Sequence, residues 1–222
     1  MNGDWDLTPD TSRKQRLGFD ETIFCAGKTP DQINRLLQRA SEADDSLLLT
    51  RLDVGKFAEL SRALRERLDF DEVSQTAILG RVAACEGEPR VAIVSGGSSD
   101  VRVAREAART LHYYGVGVRE IYDVGVAGLW RLLERIDELR EMSVVITVAG
   151  MEGTLPSVVA GLVPGLVIAV PVATGYGVAA NGMTALNSAL ASCAPGLVVV
   201  NVDNGYGAGC AALRMLNIMQ RG

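Results

Sequence analysis

A single histidine, His112, stands in a chain of 222 residues. That excludes a site built from several His ligands and moves any general base onto a carboxylate or a thiolate. Cysteine is scarce as well. Cys25, Cys85, Cys193 and Cys210 are scattered, with no CxxC pair, so neither a disulfide framework nor a Cys-based zinc site is expected. Cations are outnumbered, 22 Lys and Arg against 27 Asp and Glu, for a net charge of −5. A nucleic-acid sheath or a membrane-surface binder needs the opposite balance, although a local cationic pocket for a small anion remains compatible with it. No apolar run reaches the ~20 residues of a membrane helix; the most apolar stretch, 161–180, is broken by Pro164, Pro171 and several glycines. The acidic start, Met1-Asn2-Gly3-Asp4-Trp5-Asp6, lacks a signal-peptide pattern. The expectation is a cytoplasmic protein with neither nucleic acid nor membrane as a partner. Aromatics are few, with 4 Phe and 2 Trp, whereas there are 24 Gly. That balance favours tight loops between α/β elements over a β-sandwich.

What is present falls into two parts. Residues 1–88 are charge-rich and poor in glycine and form an N-terminal α/β region. Thr29-Pro30-Asp31 opens a helix, with Thr29 as cap and Pro30 in its first turn. Leu47 to Leu52 reads as a strand, Phe57, Leu60, Ala63, Leu64 and Leu68 as one helical period, and Thr76 to Leu79 as another strand. The first ~25 residues show no period of the kind that marks an element and read as an arm. A linker follows at 86–90. Residues 89–222 then alternate. Short β-branched runs begin at Val91, Val118, Val144, Leu166 and Leu197, and helical periods lie between them at 101–114, 127–141, 155–162 and 182–193. Continuous apolar runs suit strands buried on both faces, so the expected fold is α/β, a doubly wound parallel sheet.

Four glycine-rich loops follow strands: Gly96-Gly97-Ser98-Ser99-Asp100, Ala149-Gly150-Met151-Glu152-Gly153, Thr174-Gly175-Tyr176-Gly177, and Asn201 onward through Asp203-Asn204-Gly205-Tyr206-Gly207. In an open parallel sheet such loops gather at the carboxyl edge, where ligands bind. The first enters a helix start with two hydroxyls, which suits a phosphate; Ser99 or Asp100 also suits a plain helix cap. Neither GxGxxG nor GxxxxGKS is present, so neither a dinucleotide fingerprint nor a P-loop is indicated. Glu152, partly buried between two glycines, suits an acid or base and equally a helix cap. Cys193 follows a helix end, which gives a thiolate no help, and reads on its own as a small apolar residue. Cys210 lies in a stretch apolar on nearly every face, which suggests packing in a subunit interface. His112, at a helix end, reads as a surface or capping residue. Tyr176 and Tyr206 suit either stacking on a planar ligand or lids over the core. Lys28, Arg13, Lys14 and Arg16 read as solvated surface more readily than as phosphate ligands.

Gly97-Ser98-Ser99-Asp100 after a strand resembles the GSxSD loop of the PurE-type aminoimidazole ribonucleotide carboxylases, over roughly residues 90–220. Their Ser-Ala-His-Arg motif is missing. Its position reads Tyr122-Asp123-Val124-Gly125-Val126-Ala127-Gly128, without His. Nearly the whole chain is similar to the LarB family, the carboxylase/hydrolases of nickel-pincer nucleotide biosynthesis. The segments that carry this are RLGFDETIF at 16–24 with GKTP at 27–30, YDVGVAG at 122–128, AGMEG at 149–153 with LPSVVAG at 155–161, and VNVDNG at 200–205. The resemblance implies a three-layer, flavodoxin-like, PurE-like sheet in residues 89–222 and a symmetric homo-oligomer, an octamer. It implies carboxylation of C5 of the pyridinium ring of nicotinic acid adenine dinucleotide, with CO2 or bicarbonate as carbon source and Mg2+ but no organic cofactor, and cleavage of the phosphoanhydride to release AMP. The family's catalytic Cys and Glu fall on Cys193 and Glu152. Its substrate contacts fall on Gly97, Ser98, Ser99, Asp100, Asp123, Gly125, Gly150, Met151, Gly153, Gly175, Tyr176, Gly177, Asp203, Asn204 and Gly205. A purine-pathway carboxylase or mutase and a non-catalytic nucleotide-binding protein are the other two readings.

Overall fold

The computed structural model describes residues 10, 12–85 and 87–219. The chain divides into two compact units, Met1–Val82 and Ala83–Gly222.

The first unit is a four-stranded mixed sheet with helices. Its strands are β1 (Thr22–Phe24), β2 (Leu47–Thr50), β3 (Leu68–Asp71) and β4 (Thr76–Leu79), in the order β1-β2-β4-β3. The β1–β2 pair is parallel and the other two are antiparallel. The helices are α1 (Arg13–Leu17), α2 (Pro30–Glu42), α3 (Val54–Glu59) and α4 (Arg62–Arg65). At the start of α2, Thr29 Oγ1 accepts the Gln32 N–H while the Gln32 side chain accepts the Thr29 N–H, a reciprocal cap that satisfies two donors. Ile33 and Leu37 on its inner face are fully buried with Leu49 and Leu52. Cys25 is buried in the same core, and burial pushes its thiol up to about 12.

Two expectations are corrected here. The single helical period from Phe57 to Leu68 is two short helices, because Leu60 turns extended and the Ser61 N–H donates to Asn34 Oδ1 at 3.0 Å instead of continuing the helix; Leu68 starts β3. The described part of the expected N-terminal arm forms α1 and β1. Three residues are too few to show a period, and β1 is held by its pairing with β2.

The second unit is a five-stranded, all-parallel sheet: β5 (Val91–Ser95), β6 (Val118–Ile121), β7 (Val144–Ala149), β8 (Leu166–Pro171) and β9 (Val198–Val199), in the order β6-β5-β7-β8-β9. Every residue of β5 and β7 is buried, as their unbroken apolar runs require. The helices are α5 (Val101–Tyr113), α6 (Trp130–Leu133), α7 (Ile136–Arg140), α8 (Leu155–Ala160), α9 (Met183–Leu190) and α10 (Gly205–Met219). The doubly wound expectation holds. The helix expected over 127–141 is instead a 3-10 turn, Val126–Gly128, followed by α6 and α7, which are separated at Arg135. The apolar α10 is not buried all round within the chain: it buries Ala208, Ala212, Leu213 and Leu216, packs along α5, and leaves Ile218 and Met219 exposed. Among the described residues no helix is long and apolar enough to cross a membrane.

Candidate active site

From β5 the chain goes to β6 on one side and then to β7 on the other. The carboxyl ends of β5 and β7 therefore flank the point where strand order reverses, the place where such sheets hold ligands.

The loop after β5 leaves Ser95 and passes through a 3-10 turn, Ser98–Asp100, into α5. Asp100 is only 5% exposed and accepts the Gly97 N–H at 2.9 Å. Ser95 Oγ donates to the Gly97 carbonyl and accepts the Asp123 N–H, each at 3.2 Å, and the Ser95 carbonyl accepts the Val124 N–H at 3.0 Å. These bonds fasten the loop after β6 to the loop after β5. Gly125 completes the junction, since a Cβ there would stand 2.6 Å from the Gly96 carbonyl oxygen. A similar approach joins the loops after β7 and β8. A Cβ on Gly150 would stand 2.2 Å from the Thr174 carbonyl oxygen, which also accepts the Met151 N–H at 3.0 Å. Met151 adopts a left-handed backbone, φ 53°, unusual for a bulky residue.

Between these joined loops lies a cavity of about 310 Å³. Gly96, Gly97, Ser99 and Asp100 line it from β5. Gly125, Val126, Ala127 and Arg131 line it from β6, Ala149, Gly150, Met151, Glu152, Thr154 and Leu155 from β7, and Thr174 from β8. Burial raises the Asp100 carboxyl above its ordinary 3.8; the Gly97 N–H, the Thr174 hydroxyl and the Gly150 N–H pull it back, and the neighbouring Asp203 charge pushes it up. Among the described residues Arg131 is the one cationic side chain in the lining, and its guanidinium meets Asp123 at 2.7 Å. Glu152 is exposed where partial burial was expected.

The structure thus brings Gly97, Ser99, Asp100, Gly125, Gly150, Met151 and Glu152 to one cavity, with Asp123 behind it through Arg131. The other sequence-derived positions lie outside the lining. Ser98 is exposed on the 3-10 turn, and Gly153 is buried against Ala185 at the start of α9. Gly175 and Gly177 flank Tyr176, which is 78% exposed and so is no lid over the core. Asp203 accepts the Ala173 N–H at 3.0 Å and pairs with Arg102 at 3.4 Å. Asn204 Oδ1 accepts the Gly207 N–H at 2.8 Å, within the first turn of α10, which begins at Gly205. Cys193 is exposed on the loop after α9. His112 is exposed near Cys85 and away from the cavity. The sequence does not single out Arg131 or Thr154, and it offers Thr174, Val126 and Ala127 only as members of the glycine-rich loop at 174–177 and of the 122–128 segment. Arg131 lies in an ordinary-looking amphipathic stretch, and nothing local sets it apart from a solvated arginine.

Residues 90–222 match the family model described as AIR carboxylase, and residues 7–81 match that of the LarB/PurE-like N-terminal domain. An uncharacterized protein of Methanocaldococcus jannaschii is 36% identical across 97% of this chain and 86% of its own length. The N5-carboxyaminoimidazole ribonucleotide mutase of the same organism is 35% identical over 57% of this chain and 78% of its own. That of Pyrococcus abyssi is 34% identical over 60% and 76%. A crystal structure of a PurE variant from Treponema denticola aligns with a TM-score of 0.45 at 19% identity, covering 60% of this chain and 94% of that one.

Proposed function

The chain belongs to the LarB family, a LarB/PurE-like N-terminal domain joined to an AIR carboxylase domain, and from that membership we propose that it carboxylates C5 of the pyridinium ring of nicotinic acid adenine dinucleotide and cleaves the phosphoanhydride, releasing AMP and pyridinium-3,5-biscarboxylic acid mononucleotide. The observation that carries this reading is the cavity at the reversal of strand order, which joins an anion-suited loop, Gly97 to Asp100, to a carboxylate, Glu152.

The ring is electron-poor, so C5 does not attack CO2 unaided. A thiolate from Cys193 adds to C4, and the electron pair released into the ring leaves an enamine over N1, C6 and C5. C5 then bonds to CO2. Glu152 removes the C5 proton; the N1 lone pair re-forms the pyridinium as the C4–S bond breaks, returning the thiolate. Covalent catalysis of this kind divides one difficult step into easier ones, and Glu152 is the general base. The Ser99 hydroxyl and the start of α5 hold a phosphate. Mg2+, expected from the family, finds no cage of protein ligands: among the described residues no group of three or more His, Cys, Asp or Glu is placed to hold an ion, and Asp100 already accepts the Gly97 N–H.

A purine carboxylase or mutase is the second reading, favoured by the names of the mutase relatives. Against it, the loop after β6 carries no His, and His112 lies outside the cavity. One assay separates the two. With nicotinic acid adenine dinucleotide and labelled bicarbonate, the first reading requires labelled product and AMP; turnover of aminoimidazole ribonucleotide instead, or binding without turnover, overturns it. Cys193→Ala is expected to abolish both carboxylation and the near-ultraviolet band of a C4 adduct, while Cys85→Ala and Cys210→Ala keep them.

A further inference from the structure

A second cavity, of about 330 Å³, opens at the opposite edge of the second unit's sheet, where α5 ends and β6 begins. Arg105, Arg109 and His112 reach it from α5. Their spacing of four and three residues sets them on one helix face. The thiol comes from elsewhere in the chain. Cys85 precedes β5, and its segment is pinned to the turn after α5 at Gly115, where a Cβ would stand 2.8 Å from Ala83 Cβ and 3.0 Å from the Ala84 carbonyl oxygen. Cys85 Sγ thereby stands 4.0 Å from His112 Nδ1, across 27 residues of sequence. The thiol is exposed and both arginines are half-buried. Glu120, which accepts the Tyr122 hydroxyl, is the one carboxylate of the lining among the described residues. Two guanidiniums against one carboxylate leave the cavity cationic, in a chain whose net charge is −5. An exposed sulfur beside a base and near positive charge has the surroundings of a reactive thiol. Neither Cys85 nor His112 takes part in the chemistry proposed above.

We propose that Cys85 is a thiol–disulfide exchange site for a small disulfide that carries carboxylates. Exchange at sulfur needs a thiolate, an acceptor for its proton and a donor for the departing thiolate, and His112 serves as both. His112 Nδ1 takes the Cys85 proton. The Cys85 sulfur bonds to one sulfur of the small disulfide as its S–S bond breaks, and the departing thiolate takes the proton back from His112. Cys85 ends oxidised, in a mixed disulfide, and the released half ends reduced, as a thiol. Arg105 and Arg109 hold carboxylates of the half that stays, by charge-assisted hydrogen bonds.

The test compares two disulfides, glutathione disulfide, which is anionic, and cystamine, which is cationic. The protein is treated with each, quenched in acid, and the adduct on Cys85 is timed by peptide mass spectrometry. Glu86 and Glu88 follow Cys85 in the sequence, so the chain unfolded in urea favours cystamine. Folding should shift the ratio of the two rates toward glutathione disulfide by at least about fivefold, the worth of one charge pair about 4 Å apart in water. A ratio that folding leaves unchanged, or moves toward cystamine, overturns the proposal. That comparison needs no variant. In the double variant Arg105→Gln with Arg109→Gln, shown to be folded by circular dichroism, the shift should vanish, whereas His112→Gln should slow both disulfides by roughly tenfold. A shift that survives loss of both arginines overturns the recognition, and an unchanged rate without His112 overturns the exchange mechanism.

Discussion

Replacing Gly150 by alanine tests whether the cavity is framed by main-chain contact. The added Cβ would stand 2.2 Å from the Thr174 carbonyl oxygen and 3.1 Å from the Thr174 carbonyl carbon. Both obstacles are backbone, so no side chain can rotate out of the way. Relief requires the loops after β7 and β8 to part by about an ångström, which stretches the Met151 N–H bond to the same oxygen. Overpacking of this kind costs about 1–3 kcal/mol, equivalent in a unit of this size to a fall in Tm of roughly 3–10 °C. Gly161 supplies the control. It has ordinary negative φ, and the nearest atom to a Cβ there is 3.6 Å away. Gly161→Ala is expected to leave stability unchanged or raise it by about 0.4–1 kcal/mol through the unfolded chain. Thermal unfolding followed by far-ultraviolet circular dichroism reads both. Equal Tm in the two variants, or a larger loss at Gly161, would refute the reasoning.

Three further outcomes follow from the structure. Because burial raises the Asp100 carboxyl, the folded state holds its proton more tightly than the unfolded chain, so this group's contribution is full below 3.8 and is lost as pH rises through the raised value. Urea unfolding across pH should show wild type losing stability relative to Asp100→Asn above 3.8, and a difference that is flat or grows the other way contradicts it. Ser99→Ala, if the hydroxyl meets a charged phosphate, should weaken binding of nicotinic acid adenine dinucleotide by about 1.5–3 kcal/mol in titration calorimetry; an unchanged Kd leaves Ser99 only a capping role. Cys25, fully buried and pushed up to about 12, should resist iodoacetamide at pH 8 while the exposed Cys85 and Cys193 react. Peptide mapping that finds Cys25 alkylated in the folded protein would remove it from the core.

The layers and most strands were legible in the sequence, because a strand buried on both faces must be apolar throughout and Val91 to Val94 and Val144 to Val148 are. The helix start at Thr29-Pro30 was equally plain, since its cap is local. Elements held by distant partners were not. The break at Leu60 depends on Asn34, 26 residues earlier, and β1 depends on β2. The same division runs through the site. Ser99, Asp100, Gly150 and Glu152 announced themselves as glycine-rich loops after strands. Arg131 reaches the cavity only through tertiary placement. Family resemblance singled out Cys193, and only the folded chain shows that it is exposed and outside the cavity lining.

The margins of the second sheet limit how copies of this molecule can meet. At one margin β6 carries Arg119 and Glu120, both exposed; at the other β9 is two residues long. Charged side chains and stub strands discourage a neighbour from adding its own strand. Continuous sheets across molecules are thereby discouraged, and with them the fibrous growth that unguarded strands permit. Any meeting of copies is left to loops and helix ends, whose irregular shapes fit few mates.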